Sequence, residues 1–193
     1  MLKVILFIHG LNMGGAETLV KDYALGLNKE ILDLTVLCYE HCDSPYEKML
    51  RDAGINIIYI CDELSLFGRK EVWARLINKV LLYLKVKKYI HIISPDIIHE
   101  HLLLNSYLRF AKPKKNTVIF YTQHFEVERW KMHYKKEIRN IKWLMKHYTV
   151  KLISLNESMK YEMDKMFNIN NTIILNNGIN MEKFKLVAPY EPM

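Results

Sequence analysis

Residues 1–18 read MLKVILFIHGLNMGGAET, and this stretch decides the fold of the chain. Residues 2–7 form an apolar run interrupted only by Lys3, which is typical of a strand buried on both faces of a parallel sheet. The dipeptide His9-Gly10 closes the run, and Gly14 and Gly15 lead into apolar residues at helical spacing. The stretch therefore predicts a central strand, a glycine turn and a helix.

The same alternation continues to the end of the chain. Apolar runs predict further strands at residues 34–39, 55–60, 97–101, 118–122, 150–155 and 172–176. Helical patterns predict helices at residues 45–53, 69–88, 105–111, 130–147 and 157–167. Because strands that alternate with helices imply right-handed crossovers, we predict an α/β fold: a Rossmann-like, doubly wound parallel sheet of about seven strands with helices on both faces.

Composition limits the class of protein. The 193 residues fit one globular domain, and half of them are hydrophobic. A net charge of +7 favours an anionic partner, which leaves a nucleotide, an anionic membrane surface and a nucleic acid open. The three cysteines, Cys38, Cys42 and Cys61, are an odd number without zinc-type pairing, and no apolar run suits a membrane span or a signal peptide. We therefore predict a cytoplasmic protein.

The glycine turn is the strongest single candidate for chemistry. Gly14 and Gly15 leave the backbone bare, so the free amides at the start of the helix can face a phosphate at close range. The spacing of Gly10, Gly14 and Gly15 does not match G-x-G-x-x-G, which argues against an NAD-type site. The alternative is an ordinary strand-to-helix turn.

Five segments in order carry a family resemblance. They are GLNMGGAE at residues 10–17, SPDIIHEH at 94–101, YTQH at 121–124, KLISLNES at 151–158 and ILNNGINMEKF at 174–184. Together they resemble the motifs of the N-terminal domain of GT4-type glycosyltransferases, which is one half of a GT-B fold. Asn156 replaces the serine usual at its position, and an asparagine there still caps the following helix.

The resemblance implies an enzyme of two halves. Residues 1–184 would form the Rossmann-like acceptor-side domain and residues 185–193 the start of an interdomain linker or tail, with the C-terminal donor-binding domain absent. The intact enzyme would be a hexosyltransferase of surface-polysaccharide biosynthesis. It would transfer a sugar, with retention, from a nucleotide-sugar donor to a saccharide or lipid-linked acceptor. The isolated domain would be inactive.

The resemblance also assigns site residues. His124 would be catalytic and line the donor sugar, the alternative being a histidine that merely ends a strand. Gly14 and Gly15 would bind the donor phosphates. The acceptor side or cleft would include His9, Asn12, Glu17, His99, His101, Asn177 and Gly178. The last two could equally form an interdomain hinge or an ordinary turn.

Metal and cofactor requirements follow from what the sequence contains. His99 and His101 alternate with Glu100, so both imidazoles point to one face and a metal pair is one interpretation. A third ligand is not evident, and there is no Asp-x-Asp motif to hold a cation on a diphosphate. We therefore predict no metal and no cofactor other than the nucleotide-sugar substrate.

Two basic helices raise the question of a membrane partner. Lys131, Lys135, Arg139 and Lys142 surround an apolar stripe in the helix predicted at residues 130–147, and the helix at 69–88 repeats the theme. We favour core packing for both stripes and keep the lysines as a possible contact with an anionic membrane. Nucleic acid is disfavoured because the aromatic residues fall at helical spacing. A non-catalytic nucleotide- or membrane-binding module, and one subunit of a split glycosyltransferase, remain alternatives.

Overall fold

The computed structural model of the protein describes residues 1–62 and 72–176. Within these residues seven strands form one sheet: β1 Leu2–Ile8, β2 Leu32–Cys38, β3 Asn56–Tyr59, β4 Ile97–His101, β5 Val118–Thr122, β6 Thr149–Ser154 and β7 Ile173–Ile174. Every neighbouring pair is parallel, and the order across the sheet is β3-β2-β1-β4-β5-β6-β7. The prediction of a doubly wound parallel sheet is confirmed.

Helices cover both faces of this sheet. They are α1 Gly15–Gly26, α2 Pro45–Asp52, α3 Val72–Ile93, α4 Asn105–Ala111, α5 Val127–His133, α6 Lys135–His147 and α7 Glu157–Phe167. The apolar sides of α1 and α2 pack on one face of the sheet. Apolar residues of α3 to α7 pack on the other face, in two clusters. The side on which the connections run therefore changes between β1 and β4.

The first strand is buried as its apolar run predicts. Ile5 and Phe7 belong to the core cluster under α3 and α4, whereas Val4 and Leu6 belong to the cluster under α1. Its position differs slightly from the prediction, because β1 is the third strand of seven and β4 occupies the middle. The strand is interior because it pairs with β2 on one side and β4 on the other.

The helix limits follow local signals in the sequence. Ser44 caps α2 by accepting a hydrogen bond from the amide of Glu47 at 3.2 Å, with Pro45 in the first turn. Gly54 follows this helix with φ of +73°, a conformation that favours glycine. Asn156 caps α7 by accepting from the amide of Met159 at 2.9 Å. The predicted asparagine cap is confirmed.

The helix predicted at residues 130–147 is wrong in its limits. The chain forms α5 and α6 instead, with a break at Tyr134, whose φ of −123° and ψ of 35° are not helical. Trp130 on α5 and Ile141 on α6 enter the same core cluster. Because both helices bury apolar residues in one core, the apolar pattern runs on across the break, and no glycine or proline marks it.

The apolar stripe of α3 does not pack into the core. The buried side chains of this helix are Ala74, Asn78, Leu82, Val86 and Ile90, spaced four residues apart. The exposed ones include Trp73, Leu76, Ile77, Val80 and Leu84. The preference for core packing is therefore wrong for α3, although it holds for α6, where Ile141 and Leu144 are buried. A helix that is apolar on two sides gives no periodicity from which to choose the buried one.

Some predictions fall beyond the described residues. Asn177 and Gly178 lie outside them, as do the proposed domain limit at residue 184 and the tail at residues 185–193. The first residues of the helix predicted from residue 69 also lie outside.

Candidate functional site

The candidate site lies at the carboxyl edge of the sheet, where β1 and β4 are neighbours. Helix α1 leaves β1 toward one face, and the helix that leads into β4 packs on the other. In open α/β sheets this change of direction creates a crevice beyond the strand ends, and ligands bind there. The first loop, at residues 9–14, follows β1 at this edge, and His124 follows β5 two places along the sheet.

The glycine turn exposes the start of α1. Gly14 is the N-terminal flanking residue, in extended conformation, and its position provides no side-chain cap. A Cβ atom added at Gly15 would meet nothing within 4 Å, so this backbone faces open space. The first amides of a helix have no partner within the helix and carry its partial positive charge. The turn therefore offers a site for an anion.

Glu17 already brings a negative charge to this place. Its carboxylate lies so close to Gly14 that a Cβ atom at Gly14 would collide with it. An acidic side chain in the first turn is stabilised by the helix dipole. The Glu17 carboxylate therefore lies beside the place that an anion at this turn would occupy.

Three histidines form a cluster beside the crevice. His99 and His101 alternate with Glu100 along β4, so both point to the face of the sheet that carries α1. The Nε2 atom of His99 lies 2.7 Å from the hydroxyl oxygen of Thr122, and the His101 Nδ1 atom lies 2.9 Å from the His124 Nε2 atom. The structure thus brings together three of the predicted site residues.

Burial keeps this cluster neutral. It lowers the pKa of His99 from its ordinary 6.5 to about 4, with a further contribution from nearby His124. Burial also lowers the pKa of His124 to about 4. The pKa of His101 is well below its ordinary value because of burial and then of its two histidine neighbours. Each ring at neutral pH therefore has one N–H donor and one acceptor, so one ring of the His101 and His124 pair donates to the other.

The loop after β4 is held from the opposite face of the sheet. The Glu100 side chain is fully buried there, and its carboxylate accepts a hydrogen bond from the amide of Leu104. Burial raises the pKa of this carboxyl group well above its ordinary value. Leu102 and Leu103 between them have φ of +64° and +68°, which is strained for side chains with a Cβ atom. Backbone strain of this kind is concentrated at binding sites and persists only where neighbouring groups hold it. Here the hydrogen bond from the Leu104 amide to Glu100 holds the loop.

A polar cleft of about 480 Å³ opens at the same edge, on the side of α3. His9 and Glu40 line it, and the His9 Nδ1 atom lies 3.2 Å from a Glu40 carboxylate oxygen. Arg75 and Lys79 of α3 also line it, so the cleft has basic groups on one wall. Sequence reasoning found His9 but missed Glu40, although a polar residue directly after a strand marks this edge.

The remaining predicted residues are spread over the surface. Asn12 is exposed in the first loop. Lys135, Arg139 and Lys142 are exposed on α6. Lys131 lies on the separate helix α5, where its ammonium group pairs with Glu128 at 3.2 Å and Glu162 at 3.5 Å. These two ion pairs make Lys131 a poor candidate for a membrane contact.

No helix in the described ranges, residues 1–62 and 72–176, has both the length and the apolar character to cross a membrane.

Fold and site together define the class of protein. A doubly wound parallel sheet with a glycine turn after its first strand, histidines in the last residues of β4 and a histidine just beyond β5 matches the N-terminal half of a GT-B glycosyltransferase. The chain belongs to Glycosyltransferase Family 4, whose family profile matches residues 13–183. A search of curated protein sequences finds no significant match.

Solved structures agree on the fold. The chain is similar to HepE from Anabaena, crystallised with UDP and glucose, with 14% sequence identity and a TM-score of 0.69. That match covers 98% of this chain and 48% of HepE. A glycosyltransferase from Rickettsia africae matches with 14% identity and a TM-score of 0.54, covering 97% of this chain and 46% of that one. The chain thus spans about half the length of these structures.

Proposed function

We propose that the protein is the acceptor-side half of an enzyme that transfers a sugar from a nucleotide sugar, with retention of anomeric configuration. The observation that carries the proposal is the pairing of His101 with His124 at the edge that also exposes the start of α1. Membership of the glycosyltransferase family supports the reaction class. A leaving diphosphate and a cationic sugar require positioned dipoles at such an edge.

The donor diphosphate would bind at the glycine turn. The open backbone at Gly15 allows a phosphate oxygen to approach the first amides of α1. As negative charge develops on the leaving diphosphate, these amides stabilise it without having to reorganise. The Glu17 carboxylate would turn away when the donor binds, because the carboxylate and the diphosphate are both negative and would lie side by side at the start of α1.

His124 would contact the transferring sugar. Its ring is neutral at the pH of the cell, since its pKa is about 4, so it adds no positive charge beside a cationic transition state. The bond between its Nε2 atom and His101 leaves the Nδ1 atom and the backbone carbonyl to face the ligand. The carbonyl oxygen has a partial negative charge, and so does the Nδ1 atom when the Nε2–H group of His124 donates to His101. Such a charge stabilises the positive charge that develops on the sugar ring.

The acceptor would enter the cleft between His9 and α3. Arg75 and Lys79 on one wall suit an acceptor that carries a phosphate or another anionic group. A lipid-linked saccharide has such a group between its sugar and its lipid. The basic wall therefore favours a lipid-linked acceptor over a free neutral saccharide.

Helix α3 would place that cleft at a membrane surface. Trp73, Leu76, Ile77, Val80 and Leu84 are exposed on its outward side. Lys87 and Lys88 are exposed one turn further along, so the outward side changes from apolar to basic. An apolar side with flanking lysines suits a helix that lies in the interface of an anionic membrane, where each lysine adds about 1 kcal/mol. This assignment replaces α6 as the main membrane contact.

Transfer would need a second, donor-binding half. The chain spans 48% of HepE, and the edge described above provides one wall of a donor site. We therefore expect residues 1–193 alone to be inactive and a protein that includes a donor-binding half to be active.

A transfer assay with a panel of nucleotide sugars tests the reaction. The full-length protein should consume one donor, and His124→Ala should lower kcat by about 100-fold or more. His147→Ala is the matched control, since His147 is an exposed histidine on α6 far along the chain from the site. Full activity of the His124 variant would refute its role.

Vesicle co-sedimentation tests the membrane contact. The protein should bind vesicles that contain an anionic phospholipid and bind neutral vesicles weakly. The double variant Leu76→Ser, Val80→Ser should lose binding, whereas Lys135→Ser on α6 should keep most of it. Equal sedimentation with neutral and anionic vesicles, or unchanged binding of the α3 variant, would contradict the assignment.

A further inference from the structure

A cluster of metal-ligating side chains lies where β2 and β3 end, apart from the histidine pair described above. His41, Asp43 and Glu47 come from the segment that joins β2 to α2 and from the first turn of α2. One ligand atom from each of these residues lies within 4.8 Å of the other two. Asp62, just beyond β3, completes the group.

The distances within the cluster are short. The His41 Nε2 atom lies 3.0 Å from a carboxylate oxygen of Asp43 and 3.0 Å from the Oε2 atom of Glu47. On the other side of the ring, the Nδ1 atom lies 2.9 Å from a carboxylate oxygen of Asp62. One imidazole is therefore surrounded by three carboxylates.

Asp62 selects the state of the imidazole ring. A carboxylate can only accept, so the Nδ1 atom of His41 carries the hydrogen of that bond. In the neutral ring the Nε2 atom then has no hydrogen and presents a lone pair. That lone pair faces two further acceptors, the carboxylate oxygens of Asp43 and Glu47. Such an arrangement needs a positive centre between the three atoms: either a second proton on the ring or a metal ion.

Glu47 provides the second observation. Its side chain is fully buried, and its Oε1 atom accepts a hydrogen bond from the amide of Cys42 at 2.9 Å. Its Oε2 atom has no hydrogen-bond donor among the described residues. Apart from the His41 ring at 3.0 Å, the next basic group, on Arg51, is 3.9 Å away. A buried carboxylate oxygen without a donor is costly, and it points at the His41 Nε2 atom.

We propose that His41, Asp43 and Glu47 bind a divalent cation of the zinc type. Zinc bonds to nitrogen and oxygen of about 2.0 to 2.2 Å place neighbouring ligand atoms roughly 3.3 Å apart in a tetrahedron. The two separations from the His41 Nε2 atom, 3.0 Å each, are close to this value, and all three ligand atoms lie within 4.8 Å of one another. Asp62 would fix the ring from the second side, as carboxylates do for histidine ligands. The imidazole ligand favours zinc over magnesium. Asp43 is exposed, so water can fill the fourth position.

The site would brace the first loop. Ser44, between Asp43 and Glu47, donates a hydrogen bond from its hydroxyl group to the carbonyl oxygen of Leu11. A cation that fixes this segment would therefore also fix the loop that precedes the glycine turn. The cation is structural in this role, and it is separate from the donor diphosphate, for which no metal is proposed.

Titration calorimetry of the metal-free full-length protein with Zn²⁺ tests the site. We expect one binding site per chain, a rise in the unfolding temperature on binding, and no competition from millimolar Mg²⁺. Asp43→Asn should weaken Zn²⁺ affinity by about tenfold or more, because it removes one charged ligand. This variant keeps the fold, since the side chain is 88% exposed and asparagine tolerates the φ of +50° at this position.

A control variant at another histidine distinguishes this site from nonspecific Zn²⁺ binding. His41→Gln should abolish the high-affinity site, whereas His133→Gln, at an exposed histidine of α5, should leave it unchanged. Absence of Zn²⁺ binding by the wild-type protein would overturn the proposal and leave His41 only as a side chain in contact with three carboxylates. Equal Zn²⁺ affinity in the wild type and both site variants would also overturn it. Neither result bears on sugar transfer.

Discussion

The Nδ1 atom of His101 lies 2.9 Å from the Nε2 atom of His124, so a buried residue of β4 holds the histidine that follows β5. The exposed fraction of His101 is 0%, which keeps its ring out of reach of any ligand in solvent. We therefore propose that His101 is a positioning residue, which would hold the plane of the His124 ring.

Replacing His101 should impair catalysis through His124. We expect His101→Phe, which fills a similar volume without a ring nitrogen, to lower kcat about tenfold or more with little change in the donor KM, because His124 loses its hydrogen-bond partner. Steady-state kinetics of the full-length protein measure this, with His133→Phe as the exposed control. An unchanged kcat for His101→Phe would show that His124 needs no such support.

Stability should depend on pH through the histidine cluster. The pKa values of His99 and His124 are about 4 in the folded protein, below the ordinary 6.5 that applies when the chain is unfolded. Between these values the unfolded state binds more protons than the folded state, so the free energy of unfolding falls as pH falls from about 6.5 to about 4. Above about 6.5 these groups add no pH dependence.

Urea unfolding at a series of pH values measures this slope. The variant His99→Gln should show a shallower fall over the same window, because one of the buried rings that resist protonation is gone. The exposed His147→Gln serves as the control and should match the wild type. A free energy of unfolding that does not change between pH 6.5 and pH 4 would contradict the neutral state of the cluster.

Removing the charge of Glu17 should strengthen donor binding. The Glu17 carboxylate lies against Gly14 at the positive end of α1, where the diphosphate would bind. We expect Glu17→Gln to lower the Kd for a nucleoside diphosphate several-fold, measured by titration calorimetry at low salt. Weaker binding in this variant would show that Glu17 contributes to the site rather than competes for it.

Two leucines of α3 test which side of that helix is buried. Leu82 is 6% exposed in the core cluster, whereas Leu84 is 49% exposed. Leu82→Ala should lower the free energy of unfolding by about 2 to 5 kcal/mol, because it leaves a cavity. Leu84→Ala should change it by about 0.5 kcal/mol or less. Denaturant unfolding of both variants measures the difference. An equal loss in the free energy of unfolding for the two variants would contradict the assignment of Leu84 to the exposed side of α3.

The sheet was predictable because each of its strands has a local signal. The apolar run before His9-Gly10 marks a strand buried on both faces, and the limits of β4, α4, β5 and α7 agree with the prediction. Capping by Asn156 was predictable for the same reason, since a cap depends on residues three positions apart. Local chemistry decides these features, and the sequence displays it directly.

Features that depend on distant residues were not predictable. The break at Tyr134 depends on how α5 and α6 share one core, and the exposure of Trp73 and Leu76 depends on which side of α3 meets the sheet. Likewise His41 and Asp62 meet only because β2 and β3 end side by side. In the site, the common face of His99 and His101 was predictable from alternation, whereas the bond from His101 to His124 required the register of β4 against β5.

Nucleotide-sugar affinity of the Gly15→Val variant tests the central claim most directly. A side chain fits at Gly15 without a collision, and we expect it to hinder the approach of a phosphate to the first amides of α1. Gly26→Val, at the other end of the same helix, is the control, because a Cβ atom there also meets nothing within 4 Å. We predict that Gly15→Val of the full-length protein keeps the wild-type unfolding temperature to within a few degrees but weakens donor binding about tenfold or more, while Gly26→Val binds like the wild type. Wild-type donor affinity in Gly15→Val would contradict a donor site at this turn.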